Sequence, residues 1–326
     1  MTAFPCGYRA WRLEDPDRAR PVALDVWYPA SPGATEAGHD YGLGGGSVTM
    51  DADVADGSFP LVVLSHGAFG TARAYAWIAE HLARGGAVVV GVSHYGESPL
   101  YGPETIDPRS VLEVAPRVAD CVVAIDHVLG ASPWRDRVDP GRVGALGHSS
   151  GGATVVALAG GVFDPAAMRR YCASTDARED RGCAYGRDAD QGPPPVEAAR
   201  ASIRDRRIRS AVALDPALGP GFEAASLETI SIPVHVVGAV DNDFLPFEHH
   251  AARYARLIPG CSLTRLEGGE GHFVYLNACR SDLEANGVPL CRDREGVDRG
   301  AVQERLRADI GSFFARTLPP GPAGSS

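Results

Sequence analysis

The 326 residues of this chain, of which 44% are hydrophobic and 22% are charged, are enough for one large globular domain, and they exclude a disordered or fibrous chain. The formal net charge of −10, from 31 basic and 41 acidic residues, argues against nucleic acid or anionic lipid as a partner. The apolar runs fall far short of the roughly 20 residues that a membrane span needs, so no transmembrane helix is expected.

The N-terminal sequence and the cysteines bear on the cellular compartment. The first residues, MTAFPCGYR, contain neither the basic nor the apolar segment of a signal peptide, which predicts a cytoplasmic protein, or a secreted one if a leader has been removed. Two local pairs, Cys172 with Cys183 and Cys279 with Cys291, could each close a short disulfide loop worth roughly 2–3 kcal/mol in an oxidising compartment. Reduced thiols are the alternative, and the spacing is too wide for zinc knuckles.

The first third of the chain is typical of a strand, a loop and a βαβ unit. Apolar and polar residues alternate over residues 22–28, as in a half-buried strand, and the Gly-rich stretch at 33–58 predicts a loop. Residues 61–64 and 87–90 are continuous apolar runs, as in strands buried on both faces, and a helical stretch at 73–84 separates them. This order predicts two parallel strands joined by a helix.

The rest of the chain continues this alternation apart from one polar insertion. The Arg- and Asp-rich stretch at about 161–205 is interpreted as a lid or cap. The pattern predicts the α/β class, with a mostly parallel central sheet and helices on both faces, in a single domain over residues 1–318 with a flexible tail at 319–326. The further predicted elements are helices at 118–129, from Gly151, at 247–257 and at 301–316, and strands at 143–146, 211–214, 234–237 and 262–266.

A Gly-x-Ser-x-Gly pattern at residues 147–151 is the first motif that carries chemistry. It follows a predicted strand and precedes a helix rich in small residues, which is the setting of a nucleophile elbow. Small neighbours let the chain turn sharply there and leave the hydroxyl of Ser149 exposed. The pattern therefore predicts Ser149 as a nucleophile; the alternative is an idle serine in a Gly-rich turn.

The loop after the first buried strand predicts an oxyanion hole. Residues 65–70 read Ser-His-Gly-Ala-Phe-Gly and stand where such folds contribute one backbone N–H to a developing oxyanion. The predicted donors are the N–H groups of Ala68 and Ser150; the alternative is a plain turn. His66 is interpreted as a hydrogen-bonding residue that orders the loop, because a general base is expected late in the chain.

His272, in the Gly-rich loop at 268–273, is the predicted general base. It follows the last predicted strand, and a loop of this kind can bring an imidazole to the serine hydroxyl. His249 and His250, beside Glu248, resemble a metal-binding pair, but adjacent side chains on a helix point in different directions. We therefore expect these two histidines on a solvated face, and we expect no metal site.

The acid that would orient His272 is not determined by the residues alone. Asp215 closes one predicted strand, and Asp241 and Asp243 follow the next. All three satisfy the chain order Ser, Asp, His. Each could instead cap a turn, which is a common role of aspartate beside Pro or Asn.

These motifs, in this order, resemble the α/β-hydrolase superfamily. More narrowly, the chain looks like the bacterial dienelactone-hydrolase-like esterases and is similar to platelet-activating factor acetylhydrolase. The resemblance covers roughly residues 22–316 and implies the α/β-hydrolase fold. It is carried by Val-Trp-Tyr-Pro at 26–29, Leu-Ser-His-Gly at 64–67, Gly-His-Ser-Ser-Gly-Gly at 147–152, Ala-Leu-Asp at 213–215 and Gly-His-Phe at 271–273.

The resemblance also bears on the acid and on the substrate. In the acetylhydrolase family the triad acid lies in an Ala-Leu-Asp segment, which implies Asp215 here. In cutinase-like relatives it lies one strand later in a Gly-x-x-x-Asp segment, from which the stretch at 241–246 departs by one residue. True dienelactone hydrolases use a Cys nucleophile where this chain has Ser149, which argues against dienelactone itself.

The expected function is that of a serine hydrolase that cleaves small to medium soluble carboxylic esters through an acyl-enzyme intermediate, without a cofactor. The expected partner is therefore a small-molecule ester. An amidase or an acyltransferase with the same triad, or a binding protein with a vestigial site, are the alternatives. The sequence does not determine the oligomeric state.

Overall fold

The computed structural model describes residues 3–185 and 203–319. The strands are β1 (Cys6–Asp15), β2 (Arg20–Pro29), β3 (Ala37–Asp40), β4 (Gly45–Met50), β5 (Phe59–Ser65), β6 (Val88–Ser93), β7 (Val138–His148), β8 (Ile208–Leu214), β9 (Val234–Ala239), β10 (Ser262–Leu266), β11 (Glu284–Ala285) and β12 (Val288–Pro289). The first ten form one sheet in the order β10-β9-β8-β7-β5-β6-β2-β1-β4-β3, and the last two form a separate hairpin.

The half of the sheet from β6 to β10 is parallel throughout. Strands β5 and β6, β5 and β7, β7 and β8, β8 and β9, and β9 and β10 pair in parallel, whereas β2 pairs antiparallel with both β6 and β1. Residues 61–64 are no more than 1% exposed, as the continuous apolar run predicts for a strand covered on both faces. The predicted mostly parallel sheet is confirmed.

Helices cover both faces of this sheet. Apolar side chains of α2, α3 and α6 pack into one core cluster, and those of α1 and α7 pack into another on the opposite face. This arrangement is the predicted α/β class. The helices are α1 (Ala76–Arg84), α2 (Val114–Asp126), α3 (Ser150–Ala159), α4 (Pro165–Cys172), α5 (Ala224–Leu227), α6 (Ala251–Leu257) and α7 (Arg299–Thr317).

The N-terminal region differs from the prediction. The Gly-rich stretch at 33–58, predicted to be a loop, contains the antiparallel strands β3 and β4, and β1 precedes the first predicted strand. Beyond its first three residues β1 mostly alternates between exposed and partly exposed positions, so it shows no apolar run. Backbone pairing with β2 over its whole length, rather than side-chain burial, holds β1 in the sheet.

The described part of the polar insertion packs on the body of the domain. Met168, Ala177 and Cys183 are 3 to 7% exposed and belong to the core cluster of the α2 face. Residues 186–202 lie outside the described residues, so the lid stays a prediction. The predicted tail at 319–326 also lies outside them, apart from Pro319.

Both cysteine pairs that the sequence allows are joined. Cys172 is bonded to Cys183 and Cys279 to Cys291, while Cys6, Cys121 and Cys261 are free. The sequence did not determine either bridge, because reduced thiols were an equally acceptable interpretation of the same cysteines. In the described part of the chain, no helix is both long and apolar enough to cross a membrane.

Candidate active site

Ser149 lies at a sharp turn between strand β7 and helix α3. Its backbone has φ 56° and ψ −120°, an unfavourable conformation for a side chain with a Cβ, and its side chain is close to the surface with the residue 7% exposed. A Cβ atom added to Gly147 would lie 2.1 Å from the carbonyl oxygen of Gly151. A Cβ atom added to Gly151 would lie 1.9 Å from the carbonyl oxygen of Ser65. The two glycines of the motif are therefore required by backbone contacts.

His272 and Asp215 come together near this turn, where the His272 ring lies 4.6 Å from that of His148, the residue before Ser149. The Nδ1 atom of His272 lies 3.4 Å from Oδ2 of Asp215, and the residues are 0% and 2% exposed. Asp215 follows β8 directly, and its carboxylate accepts hydrogen bonds from the Ala239 N–H and the Asn242 side-chain amide, both at 2.8 Å. These two donors hold the carboxylate in place beside the imidazole.

The other two candidate acids have different roles. Asp243 accepts a hydrogen bond from the backbone N–H of His272 at 2.9 Å and lies 3.5 Å from Arg294, so it supports the loop rather than the ring. Asp241 is exposed, and its backbone carbonyl accepts a hydrogen bond from Arg294. Of the three aspartates, the structure brings Asp215 to the imidazole.

Burial governs the protonation of this pair. It lowers the pKa of His272 to about 3 and raises the pKa of Asp215 well above its usual range, against the opposing effect of the hydrogen bonds from Ala239 and Asn242. The imidazole is therefore neutral at physiological pH, which is the form that can accept a proton. Both its ring nitrogens are buried without a hydrogen-bond partner among the described residues, a costly state that is typical of functional groups.

The predicted oxyanion loop lies against Ser149. A Cβ on Gly67 would lie 3.2 Å from the Cβ of Ser149, so the loop and the nucleophile approach each other closely. The Gly70 N–H donates to the Gly67 carbonyl at 3.1 Å and closes a turn that contains Ala68, with Phe69 at φ 56°. Ser150 is the first residue of α3, where amide groups have no intrahelical acceptor.

His66 orders this loop, as the sequence predicts. Its Nδ1 atom donates to the carbonyl oxygen of Gly67 at 2.6 Å, and its Nε2 atom accepts the backbone N–H of His94 at 3.0 Å. These contacts assign the proton to Nδ1. The ring is fully buried, which lowers its pKa well below the usual range and keeps it neutral.

A hydrogen-bonded chain that sequence reasoning missed links the oxyanion loop to the His272 loop. The Gly67 N–H donates to the Tyr75 hydroxyl at 3.1 Å, and that hydroxyl donates to Nδ1 of His148 at 2.8 Å. The Nε2 atom of His148 donates to the carbonyl of His272 at 3.0 Å. His148 is the variable residue before Ser149 in the Gly-x-Ser-x-Gly motif. This position was the only feature of the sequence that could have indicated its role.

An aromatic wall, defined by Phe69, Tyr185, Phe244 and Phe273, contacts the imidazole through Phe244 and Phe273. The Phe244 ring stacks on His272 with centroids 5.1 Å apart and planes at 12°, and Phe273 meets it edge to face. Tyr185 lies 5.2 Å from Phe69 and 6.0 Å from Phe244. Tyr185 comes two residues after the disulfide-bonded Cys183, in the insertion that the sequence could not place.

The prediction that His249 and His250 share a solvated face is wrong for His250. It is 1% exposed, its Nε2 atom lies 2.7 Å from a carboxylate oxygen of Asp180, and its Nδ1 atom accepts the Gly219 N–H at 3.2 Å. His250 precedes α6, where the backbone turns its side chain inward onto the insertion. Within residues 3–185 and 203–319, no group of three or more His, Cys, Asp or Glu side chains could hold a metal.

Comparisons with curated proteins place esterases among the relatives of this chain. It is 33% identical over 112 residues to a bis(hydroxyethyl) terephthalate hydrolase of Streptomyces coelicolor, a stretch that covers 34% of this chain and 32% of that protein. It is 30% identical over 121 residues to cutinase 2 of Thermobifida cellulosilytica, covering 36% of this chain and 40% of that protein. The chain thus matches only a third to two fifths of the length of these relatives. No family model matches the sequence.

Solved structures show the fold over almost the whole chain. A ferulic acid esterase from Streptomyces cinnamoneus superposes with a TM-score of 0.65 and 22% identity, covering 98% of this chain and 92% of that one. A puromycin-hydrolysing peptidase of Mycobacterium tuberculosis superposes with a TM-score of 0.56 and 16% identity, covering 97% of this chain and 40% of that one. The protein has the α/β-hydrolase fold, whereas the narrower resemblance to dienelactone-hydrolase-like and acetylhydrolase-like esterases stays a prediction.

Proposed function

We propose that this protein is a serine hydrolase that cleaves carboxylic esters, with Ser149 as nucleophile, His272 as general base and Asp215 as the acid that orients it. The observation that carries the proposal is the buried, neutral imidazole of His272, 3.4 Å from Asp215 and in contact with His148, the residue before a serine at a strained strand-to-helix turn. The names of the similar proteins, a bis(hydroxyethyl) terephthalate hydrolase, a cutinase and a ferulic acid esterase, agree with this reaction class.

The residues support acyl transfer in two steps. The Ser149 oxygen attacks the ester carbonyl carbon while Nε2 of His272 takes the hydroxyl proton, and Asp215 stabilises the resulting imidazolium. The N–H groups of Ala68 and Ser150 donate to the oxyanion of the tetrahedral intermediate. The C–O bond of the ester then breaks, and His272 returns the proton to the leaving alcohol. A water molecule repeats the sequence on the acyl-enzyme and releases the acid, without a cofactor.

The aromatic wall supports esters of small aromatic acids as the preferred substrates. Phe69, Tyr185 and Phe273 are partly exposed, and the wall contacts the buried imidazole through Phe244 and Phe273, so it offers flat apolar surface beside the proposed general base. Offset or edge-on contacts between aromatic rings contribute about 0.5–1.5 kcal/mol beyond area burial. A benzoyl group that contacts this wall would thus be favoured over an acetyl group.

The test is hydrolysis of p-nitrophenyl acetate and p-nitrophenyl benzoate, together with fluorophosphonate labelling, in the wild type and Ser149→Ala. We expect labelling and hydrolysis in the wild type and neither in the variant. A folded wild type that is inert on both esters and is not labelled would refute the proposal. Faster cleavage of a matched p-nitroanilide than of the ester would replace esterase by amidase.

A second pair of variants tests the substrate class. Tyr185→Ala should lower the benzoate-to-acetate ratio of kcat/KM about 5- to 10-fold, in line with the loss of one aromatic contact. Tyr185→Phe keeps the ring and should leave that ratio within about twofold of the wild type, by the same reasoning. Equal ratios in all three proteins would exclude the wall as the acyl site while leaving the esterase proposal intact.

The two disulfides favour an oxidising compartment, and hence the secreted alternative over the cytoplasmic prediction. Titration of thiols in the denatured, unreduced protein should detect the three free cysteines, Cys6, Cys121 and Cys261, rather than all seven. Seven thiols in protein isolated from its native source would contradict this proposal.

A further inference from the structure

Arg117 is a buried cation that the proposed reaction does not use. It lies on α2 and is 2% exposed, and its Nη1 atom lies 2.6 Å from a carboxylate oxygen of Glu97, which is 1% exposed. Burying a guanidinium is costly unless its donors are satisfied. Among the described residues, the other hydrogen bonds of Arg117 go to the oxyanion loop, the strand that leads into it, and the helix that follows Ser149.

One branch of the guanidinium holds the oxyanion loop. The Nη2 atom donates to the carbonyl oxygen of His66 and, at 3.3 Å, to the hydroxyl of Ser65. The His66 carbonyl belongs to the peptide unit that precedes Gly67, and the next amide along the chain is that of Ala68. The contact therefore restrains the backbone one residue before the first proposed oxyanion donor.

The other branch holds the helix after the nucleophile. The Nε atom of Arg117 donates to the hydroxyl of Thr154 at 3.0 Å, and this hydroxyl donates to the backbone carbonyl of Ser150 at 2.9 Å. Ser150 carries the second proposed donor. Because a guanidinium is planar and rigid, the two branches keep a fixed separation.

We propose that Arg117 is a positioning residue that sets the distance between the two oxyanion donors, by joining the carbonyl of His66 to Thr154 and through it to Ser150. This inference rests on the proposed function. An oxyanion hole stabilises the tetrahedral intermediate only when both donors lie within hydrogen-bond distance of the same oxygen. Displacement of one donor by a fraction of an ångström therefore lowers kcat more than it changes substrate binding.

The decisive variant is Arg117→Met combined with Glu97→Gln, which removes both buried charges together and leaves neither unpaired. We expect kcat for p-nitrophenyl acetate to fall about 10- to 100-fold, since the complete loss of one donor costs about 10²–10³-fold. KM should stay within about threefold, because the intermediate and not the ground state is affected. The inhibition constant of phenylboronic acid, whose tetrahedral adduct with Ser149 mimics the intermediate, should rise by a similar factor.

Two further variants keep the inference testable if the double variant does not fold. Thr154→Val keeps the shape of the side chain, breaks one branch and should lower kcat about 3- to 10-fold, less than the loss of a donor. Arg117→Lys keeps the charge beside Glu97 but cannot bond both branches. Arg117→Lys should therefore have a higher melting temperature than the double variant, but its kcat should stay as low.

Val118→Ala is the matched control, because Val118 is the next residue on α2, is buried, and has an apolar side chain that cannot form a hydrogen bond with either branch. It should lower the melting temperature and leave kcat within about twofold, as expected for a core truncation remote from the chemistry. Unchanged kcat in a folded Thr154→Val or double variant, full recovery in Arg117→Lys, or an equal loss in Val118→Ala would overturn the positioning role. A wild type without esterase activity would instead overturn the proposed function.

Discussion

Two Ser–His–Asp arrangements can be compared in the described part of the chain, and the one with the better hydrogen bonds is not at the proposed active site. In the first, the Ser65 hydroxyl lies 2.9 Å from Nε2 of His94, and Nδ1 of His94 lies 3.0 Å from Asp120. In the second, Nδ1 of His272 lies 3.4 Å from Asp215, and neither ring nitrogen has a hydrogen-bond partner within the described residues. Hydrogen-bond geometry alone would select Ser65 rather than Ser149, the proposed nucleophile.

The surroundings of the two serines explain the difference. Ser65 ends strand β5, is 1% exposed and also accepts a hydrogen bond from Arg117, so its hydroxyl is saturated and inaccessible. Ser149 lies on a strained turn beside backbone donors. The fully hydrogen-bonded arrangement around Ser65 stabilises the fold. The arrangement proposed around Ser149, with its strained turn and unpaired ring nitrogens, can still form hydrogen bonds with a substrate.

The largest expected effect separates the two serines. Ser149→Ala should lower kcat by about 10⁵- to 10⁶-fold, as removal of a triad nucleophile does. Ser65→Ala should lower kcat by less than about tenfold but lower the free energy of unfolding by about 1–2 kcal/mol, because it leaves the buried Nε2 atom of His94 without its hydrogen-bond partner. Ester hydrolysis and urea unfolding of both variants give these values.

If Ser65→Ala lost activity as completely as Ser149→Ala while staying folded, the arrangement around Ser65 would have a chemical role. Equal loss in both variants together with unfolding would contradict the assignment of stability to one and chemistry to the other.

The next largest effect separates the aspartates. Asp215→Asn should lower kcat about 10³- to 10⁴-fold, because the imidazole loses the acceptor that orients it. Asp120→Asn should instead lower the free energy of unfolding by about 2–3 kcal/mol, less than for a fully buried pair since Arg18 and Arg20 are partly exposed. Asp241→Asn is the control and should change neither quantity. Loss of activity in Asp241→Asn but not in Asp215→Asn would move the acid to the next strand.

A smaller effect is expected from Asn242, a neutral donor to Asp215, whereas Arg18 and Arg20, which donate to Asp120, are cations. Asn242→Asp keeps the side-chain oxygen that accepts the N–H groups of Phe244 and Leu245, but it places a second carboxylate against Asp215. We expect kcat/KM to fall about 10-fold, roughly the effect of losing one charge-assisted hydrogen bond. Asn286→Asp, an exposed amide in the β11–β12 turn, is the matched control. A similar loss in both would show a nonspecific charge effect.

The smallest expected effect is the change in the free energy of unfolding per pH unit, and both arrangements contribute to it. Burial lowers the pKa of His94 well below its usual range and that of His272 to about 3, whereas unfolded histidine titrates near 6.5. Below pH 6.5 the unfolded chain therefore binds protons that the folded chain does not, so stability is present above that pH and is lost as pH falls towards 3. Each histidine contributes at most about 1.4 kcal/mol per pH unit.

Urea unfolding of the wild type, His94→Gln and His272→Gln between pH 5 and pH 7.5 measures this dependence. Both variants should lose less stability on acidification than the wild type, but only His272→Gln should abolish ester hydrolysis at pH 7.5. A wild-type stability that is independent of pH across this interval would mean that these imidazoles have the same pKa in the folded and the unfolded protein.

Several parts of the fold follow from local patterns, and others do not. The buried strands β5 to β9 can be predicted from the sequence, because parallel strands covered on both faces give continuous apolar runs. Strands β1, β3 and β4 are not, because they lie at the edge of the sheet, are partly exposed or Gly-rich, and depend on backbone pairing with a distant segment. The insertion was recognised only as polar, and its burial through Asp180 and His250 was missed.

The sequence by itself determined the α/β-hydrolase class, the turn at Ser149 and the late loop of His272, because these depend on the period of apolar residues and on small residues within one short segment. Only the tertiary structure decided which aspartate meets the imidazole, since Asp215 and Asp241 follow neighbouring strands and the sequence order is the same for both. The contacts of His148 and Arg117 were also decided there. Their hydrogen-bond partners are separated from them by 20 to 124 residues, and such contacts arise only when the sheet and its helices pack.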